Sequence, residues 1–327
     1  MNEAVIEMTK KHMISVVVPC YNEAEALPYF FAAMEEVMEG FSSARWELIF
    51  IDDGSKDESL HIIKEYASMH AYARYAAFSR NFGKEAAMYA GLKLATGDYV
   101  VIMDADLQDP PVLLKEMYNL LQTGEYDCVA TRRVTRKGEP PIRSFFARMF
   151  YRLMRKISKI EMVDGARDFR MMTRIMVDAV LSMEEKNRFS KGLFAWVGFR
   201  TKWLEYENVA RVAGETKWSF WKLLMYSFNG IFGFSTMPLQ IASVFGLFFC
   251  ALAIIMIFIV VGKTILFGDP VSGWPSLMSV ILLIGGIQLF SIGILGQYLA
   301  KTFIETKNRP LYIIREAGGE IENDEEE

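Results

Sequence analysis

Residues 100–111 read VVIMDADLQDPP, an apolar run that ends in closely spaced carboxylates. Asp104 and Asp106 stand two residues apart just past an expected buried strand, so they point to one side and repel each other unless a cation intervenes. Magnesium and manganese ions prefer oxygen ligands and often retain phosphate oxygens in their shell. Asp106 and Gln108 are therefore candidate ligands of Mg²⁺ or Mn²⁺, while Asp104 could reach a sugar or assist the metal. The alternative is an ordinary acidic turn in which Asp109 caps the following helix.

The first half of the chain alternates between strand-like and helix-like segments. Continuous apolar runs predict strands at 14–19, 48–51, 73–78, 99–103 and 128–131, and amphipathic stretches predict helices at 25–38, 59–69, 84–95 and 112–122. Apolar strands that alternate with crossover helices indicate an α/β fold with a mostly parallel sheet and helices on both faces. Ligands bind such sheets at the carboxyl ends of the strands.

Polar clusters follow the first four predicted strands, at 19–23, 52–55, 79–81 and 104–106. This placement favours a binding site over four unrelated loops. No G-x-G-x-x-G follows the first strand and no P-loop motif occurs, which disfavours dinucleotide-dependent dehydrogenases and P-loop enzymes.

Charge, cysteine and histidine content exclude further classes. The net charge of −4 disfavours a nucleic-acid partner, and much of the acidity lies at 316–327, which we expect to be a disordered end. The three cysteines are far apart, which indicates neither a disulfide framework nor a zinc site. The three histidines lie in polar surroundings near the start, which disfavours a histidine-based catalytic triad.

Two long uncharged stretches lie in the last third of the chain. Residues 241–261 and 277–299 are each long enough for a transmembrane helix, with buried core helices as the alternative. Lysines and arginines flank the pair on the side away from the Gly- and Pro-containing link 262–276, which places both termini in the cytoplasm. We expect a cytosolic catalytic domain at 1–210, an aromatic-rich interfacial segment at 211–236, a transmembrane hairpin at 237–300 and a cytosolic acidic tail at 301–327. Glycines of the second span suggest close helix packing and a homo-oligomer, with lipid-facing glycines as the alternative.

The segments VVVPCYNE, FIDDGSKD, SRNFGKEAAMYAGLKLATGDYVVIMDADLQDPP and ATRR, followed by DGARDFRMMTR and RVAGETKWSFWKL, resemble family 2 glycosyltransferases. The resemblance is greatest to the branch that transfers a sugar from a nucleotide to a polyprenyl phosphate, and it covers nearly the whole chain. It implies a GT-A fold, a divalent cation and a bacterial inner-membrane enzyme. UDP-glucose is the favoured donor, with GDP-mannose as the alternative.

The resemblance also implies roles for individual residues. Donor contacts would come from Pro19, Tyr21, Glu23, Asp53, Asp104 and Ala105; metal ligands from Asp106 and Gln108; and phosphate contacts from Arg132, Arg211 and Lys217. Asp104, Asp106 and Asp168 form the expected catalytic set. The role of Asp168 is open, because Ala166-Arg167 replaces the usual Cys-Gly before it: it could orient the acceptor or a metal-bound group, or pair with Arg170 or Arg174.

The leading hypothesis is an inverting, metal-dependent hexosyltransferase acting on a polyprenyl phosphate. The acceptor phosphate has a second pKa of about 6, so it is already largely anionic and needs no strong general base. Alternatives are a processive polysaccharide synthase, whose additional membrane helices and Q-x-x-R-W motif are not seen here, and a non-catalytic sugar-nucleotide-binding membrane scaffold.

Overall fold

The computed structural model describes residues 11–41, 43–133, 163–206, 231–233, 235–267 and 273–319. In chain order, the elements are β1 (Met13–Cys20), α1 (Leu27–Glu39), β2 (Arg45–Asp52), α2 (Ser59–Met69), β3 (Ala73–Phe78), α3 (Lys84–Leu94), β4 (Tyr99–Ile102), α4 (Leu113–Gln122), β5 (Cys128–Arg133), β6 (Ala166–Thr173), α5 (Arg174–Leu181), α6 (Ser190–Trp196), β7 (Thr201–Tyr206), α7 (Met237–Phe267), α8 (Trp274–Thr306) and β8 (Ile314–Gly318).

The strands form one mixed sheet in the order β7-β5-β6-β4-β1-β2-β3-β8. β1 pairs in parallel with β2 and β4, β2 with β3, and β5 with β7, whereas β6 and β8 run antiparallel to their neighbours. The predicted α/β class is confirmed, and each of the five predicted strands is present. The sequence did not predict β6, β7 or β8.

The core lies on both faces of the sheet. Val16 and Val18 of β1 belong to one buried cluster with Phe30 of α1 and Met117 of α4, and Val17 faces the opposite cluster around α3. Helix α3 approaches the sheet closely, because a Cβ at Gly91 would lie 2.1 Å from Val17 Cγ1. With both faces covered, the carboxyl ends of the strands are the edge at which polar side chains gather.

The C-terminal segment forms part of this sheet. Strand β8 is an edge strand of the sheet and pairs with β3, and Gly318 lies against the ring of Tyr75. Lys64 of α2 forms an ion pair with Glu316 (2.5 Å). The prediction that the end of the chain is disordered from residue 316 onward is therefore wrong for residues 316–319.

The chain divides into two compact units, Met1–Tyr226 with Pro310–Glu327, and Ser227–Arg309. In the second unit, α7 and α8 contain apolar spans at Met237–Met256 and Leu283–Thr306, almost none of whose residues are buried. A length of 31 residues gives α7 about 46 Å, more than the roughly 30 Å of a bilayer's hydrocarbon core. Exposed apolar side chains disfavour the alternative of buried core helices. Most of the predicted interfacial segment 211–236 lies outside the described residues.

Candidate active site

The loops that follow β1 and β2 are joined by hydrogen bonds. The Asn22 N–H donates to Ser55 Oγ (2.9 Å), and the Lys56 N–H donates to Asn22 Oδ1 (2.8 Å). The Glu23 N–H donates to Ser59 Oγ (2.7 Å) at the start of α2. These bonds give the two loops one fixed arrangement at the sheet edge. The residues predicted to contact the donor here are Pro19 at the end of β1, Tyr21 and Glu23 in the first loop, and Asp53 in the second.

Asp53 anchors the loop between β3 and α3. Its buried carboxylate accepts hydrogen bonds from the main-chain N–H groups of Phe82 (2.6 Å) and Gly83 (2.9 Å). Burial raises the pKa of Asp53 to about 6, although these two N–H donors oppose the shift. Gly54 allows the loop to come close, because its φ is +68° and a Cβ there would lie 2.5 Å from the carbonyl carbon of Arg80. The predicted contact of Asp53 with the nucleotide stays a prediction.

Lys84, the first residue of α3, joins two carboxylates at the centre of the edge. Its Nζ lies 2.7 Å from Asp104 Oδ1, 2.8 Å from Asp104 Oδ2 and 2.7 Å from Asp168 Oδ2. Burial alone would raise the pKa of Asp168, but the charges of Lys84 and Lys191 outweigh it and hold this pKa far below its usual range. Antiparallel pairing of β6 with β4 explains why two residues so distant in sequence meet. Asp168 is thus brought together with residues 104–109, which we call the acidic loop.

Asp106 and Gln108 form a tight turn with different surroundings. Asp106 is buried beside the likewise buried Ala105, and its Oδ1 accepts a hydrogen bond from the Gln108 N–H (3.1 Å). The side-chain oxygen of Gln108 accepts hydrogen bonds from Arg133 (3.0 Å) and Arg167 (3.4 Å). Because it faces two guanidinium groups, this oxygen would have to turn away from them before it could bind a cation.

Asp109 does not cap the following helix. Its carboxylate accepts hydrogen bonds from Arg167 Nε (3.0 Å) and from the Tyr206 hydroxyl, and α4 begins after Val112 without a side-chain cap. The interpretation of this segment as an ordinary turn with Asp109 as the N-cap is therefore wrong. Asp109 instead positions Arg167 beside Gln108.

Neither Arg170 nor Arg174 forms an ion pair with Asp168 at hydrogen-bond distance among the described residues, although the charge of Arg170 helps to lower the pKa of Asp168. Arg170 donates to the main-chain carbonyls of Asp168 and Arg167, while Arg174 donates to the main-chain carbonyls of Ala95 and Gly97. The carboxylate of Asp168 forms its ion pair with Lys84.

The predicted phosphate-binding residues are only partly described. Arg132 lies at the end of β5, where its guanidinium forms an ion pair with Glu205 of β7. Its neighbour Arg133 points to the acidic loop, as expected when adjacent strand residues face opposite sides of a sheet. Arg211 and Lys217 lie outside the described residues.

Residues 15–181 match the family model described as glycosyl transferase family 2. The chain belongs to this family. It is 42% identical over 302 residues to the prophage bactoprenol glucosyl transferase homolog of Escherichia coli strain K12, covering 92% of this chain and 98% of that protein. It is 40% identical over 304 residues to the bactoprenol glucosyl transferase of Shigella phage SfII, covering 93% and 98%. Among solved structures, the mannosyltransferase PcManGT from Pyrobaculum calidifontis is similar at 17% identity and a TM-score of 0.46, covering 89% of this chain and 88% of that one.

The protein is thus a glycosyltransferase, and the segment matched to the family contains every catalytic and metal-binding residue that the sequence predicted. Sequence reasoning missed Lys84, Arg133 and Arg167. Lys84 carried a usable signal, since a lysine at the first position of a helix is disfavoured by the helix dipole and calls for a nearby anion. Arg133 and Arg167 carried none, because both are recognised only through contacts with Gln108 and Asp109 across the sheet edge.

Proposed function

We propose that this glycosyltransferase moves glucose from UDP-glucose to a polyprenyl phosphate in the lipid bilayer, with inversion at the anomeric carbon. The observation that carries the proposal is the similarity of about 40% to proteins named bactoprenol glucosyl transferase, over 92–93% of this chain. That similarity extends beyond the catalytic unit and includes both apolar helices.

The oxygen ligands available at the site fit one divalent cation bound together with a diphosphate. No group of three or more His, Cys, Asp or Glu side chains forms a complete metal cage within the described ranges. Magnesium in nucleotide sites is usually bound by one or two carboxylates together with substrate phosphates and water. Asp106 would supply that carboxylate, since both oxygens of Asp104 contact Lys84 and the Gln108 oxygen faces two arginines. When bound, the cation would supply charge stabilisation for the departing diphosphate.

The surroundings of Asp168 suit an acceptor that is already an anion. A general base works best when its pKa lies near the working pH, and Lys84 and Lys191 keep the pKa of Asp168 far below that range. A sugar hydroxyl would need such a base, whereas a phosphate monoester with a second pKa of about 6 does not. This observation favours a polyprenyl phosphate over the hydroxyl acceptor of a processive polysaccharide synthase.

In the proposed reaction an acceptor phosphate oxygen attacks the anomeric carbon as the bond from that carbon to the nucleotide diphosphate breaks. Arg133 and Arg167 lie beside the acidic loop and are placed to stabilise the negative charge of the leaving UDP. Asp104 and Asp168, held by Lys84, would orient the sugar and the acceptor. Arg211 and Lys217 remain proposed phosphate contacts.

The membrane arrangement follows from the course of the chain. The hairpin leaves the catalytic unit after Tyr226 and the chain re-enters that unit at Pro310. A chain that crosses the membrane twice returns to the side from which it started. Because segments of one folded unit precede and follow the two spans, both ends of the hairpin would lie on the same side of the membrane as the catalytic unit. Together with the positive flanks, this supports a cytosolic catalytic unit at the bacterial inner membrane.

The test uses the full-length protein in nanodiscs with a short polyprenyl phosphate, Mg²⁺ or Mn²⁺ and a panel of sugar nucleotides. We expect a glucosyl phospholipid from UDP-glucose alone, with a β anomeric proton in its NMR spectrum. Asp106→Asn should lower turnover at least about a hundred-fold, the scale of losing a main electrostatic contact. Asp178→Asn, at an exposed position on α5, is the matched control. Free glucose or a polymer as the sole product, or full turnover in chelator, would contradict the proposal.

A further inference from the structure

The contacts of Lys84 use the whole donor capacity of its ammonium group. An ammonium has three N–H bonds, and Lys84 Nζ has three carboxylate oxygens within 2.8 Å, two from Asp104 and one from Asp168. The side chains of the three residues are only 32%, 23% and 18% exposed, respectively, so little water competes for these bonds. Lys84 is therefore the bridge that allows the two carboxylates to lie close together.

The fold holds Lys84 at a position that is otherwise unfavourable. It is the first residue of α3, where the partial positive charge of the helix N-terminus repels a cation. The preceding residues are fixed by Asp53, which binds the main-chain N–H groups of Phe82 and Gly83. A lysine at the start of a helix does not stabilise that helix, so its presence here indicates a role in the cluster that it forms with Asp104 and Asp168.

Two carboxylates bridged by one cation is also the arrangement that a divalent ion creates in two-metal sites. From this geometry we propose that Lys84 takes the place of a second divalent cation, so that the site works with a single ion at Asp106. Lys84 is then a positioning residue: it holds Asp104 and Asp168 on the donor and acceptor sides of the reacting carbon. This inference rests on the proposed function and on its divalent cation.

The consequence concerns charge. Without the ammonium, Asp104 and Asp168 would lose the cation that lies between them, and this pair of carboxylates would attract a divalent ion of its own. Lys84→Met keeps the length of the side chain and removes the charge. The double variant Lys84→Met/Asp168→Asn removes one negative charge as well, so its bridge position should no longer attract an ion.

The experiment counts Mn²⁺ bound per full-length chain in the presence of UDP, by electron paramagnetic resonance of free Mn²⁺. We expect one ion for the native protein, two for Lys84→Met and one for the double variant. Lys84→Arg keeps the cation and should bind one ion. Lys93→Met, exposed at the other end of α3, is the control and should bind one.

Further readouts separate positioning from folding. Mn²⁺ should raise the melting temperature of Lys84→Met more than that of the native protein, and kcat of Lys84→Met should fall at least about a hundred-fold while Lys84→Arg retains part of it. One ion in Lys84→Met with native affinity, or two ions in the native protein, overturns the lysine inference and leaves glucosyl transfer intact. If Lys84→Met does not fold without metal, folding with two bound ions upon Mn²⁺ addition supports the inference, and failure to fold at any Mn²⁺ concentration overturns it. No Mn²⁺ bound to the native protein with UDP overturns the proposed metal site as well.

Discussion

Tyr312, in the segment that follows α8, should control the loop between β3 and α3, which Asp53 anchors. Its ring stacks on Phe78 at the end of β3, with centroids 4.9 Å apart and planes 14° apart, and it meets Tyr89 edge-on. The next residue, Ile313, accepts a hydrogen bond from the Ser79 N–H (2.9 Å). Ser79 begins the loop whose later N–H groups bind Asp53. Tyr312→Ala should therefore loosen this loop and raise KM for the sugar nucleotide.

The magnitude follows from the contacts that are removed. Stacked aromatic pairs contribute about 1 kcal/mol beyond their buried area, and half-burial of a ring contributes about 1 kcal/mol more. Docking of the segment around Tyr312 should weaken by about 2 kcal/mol, which corresponds to a roughly thirty-fold larger open population. Tyr312 packs, partly buried, against the core cluster that contains Phe78. The cluster on the opposite face of the sheet, around Val16 and Phe30, does not involve this ring, so the effect should be largest near Phe78 and Ser79.

Amide hydrogen exchange of the full-length protein measures this opening. The Ser79 amide should exchange about thirty times faster in Tyr312→Ala, with little change in β1. Tyr312→Phe keeps the stacked ring and should behave like the native protein. KM for the polyprenyl phosphate should stay constant while KM for UDP-glucose rises. Native exchange at Ser79, or uniform loss of protection across the sheet, would refute the reasoning.

Two further predictions concern the same loop. Because burial raises the pKa of Asp53 to about 6, the folded protein protonates it as the pH falls through that value, and the neutral group accepts hydrogen bonds from the Phe82 and Gly83 N–H groups less strongly. KM for the sugar nucleotide should rise below about pH 6 in the native protein, and this pH dependence should be absent in Asp53→Asn. The stability that Asp53 contributes has the opposite dependence: it is greatest below the unfolded pKa of about 4 and is lost as the pH rises through 6. Gly54→Ala should lower the free energy of unfolding by more than about 2 kcal/mol, since it adds a backbone clash with Arg80 to the cost of a positive φ. Gly124→Ala, at φ +71° in open space, carries only the φ cost, and equal losses in the two variants would contradict this explanation.

The buried parallel strands were predictable because their environment is uniform. A strand covered by helices on both faces must be apolar along its whole length. The segments ISVVVP and LIFI can therefore be predicted as strands without knowing which elements pack on them. The helix predicted at 59–69 agrees with α2 residue for residue, since its apolar spacing matches one buried face.

Strand β6 was missed because its neighbours in sequence do not explain its charges. The segment ARDFRMMT carries three charged residues, yet it lies between β4 and β5 inside the sheet. Arg167 is matched by Asp109, Asp168 by Lys84, and the Arg170 guanidinium lies over the ring of Phe194. Each partner is remote in sequence, so local polarity argued against a strand that the tertiary contacts support. Strand β8 was missed for a related reason: its acidic surroundings indicated disorder, whereas the exposed edge of β3 provides its hydrogen bonds.

The pairing of charges at the sheet edge explains how two anionic substrates could be bound together by an acidic site. Asp104 and Asp168 are joined by Lys84, and Asp109 is joined by Arg167, so two positive charges oppose these three negative ones. Asp106 adds a fourth carboxylate at the same edge of the sheet. A single divalent cation at Asp106 would complete the compensation, and Arg133 would then face the substrates as additional positive charge. The protein therefore pairs most of its own carboxylates with cations before any substrate binds. The remaining positive charge would stabilise the diphosphate as it leaves.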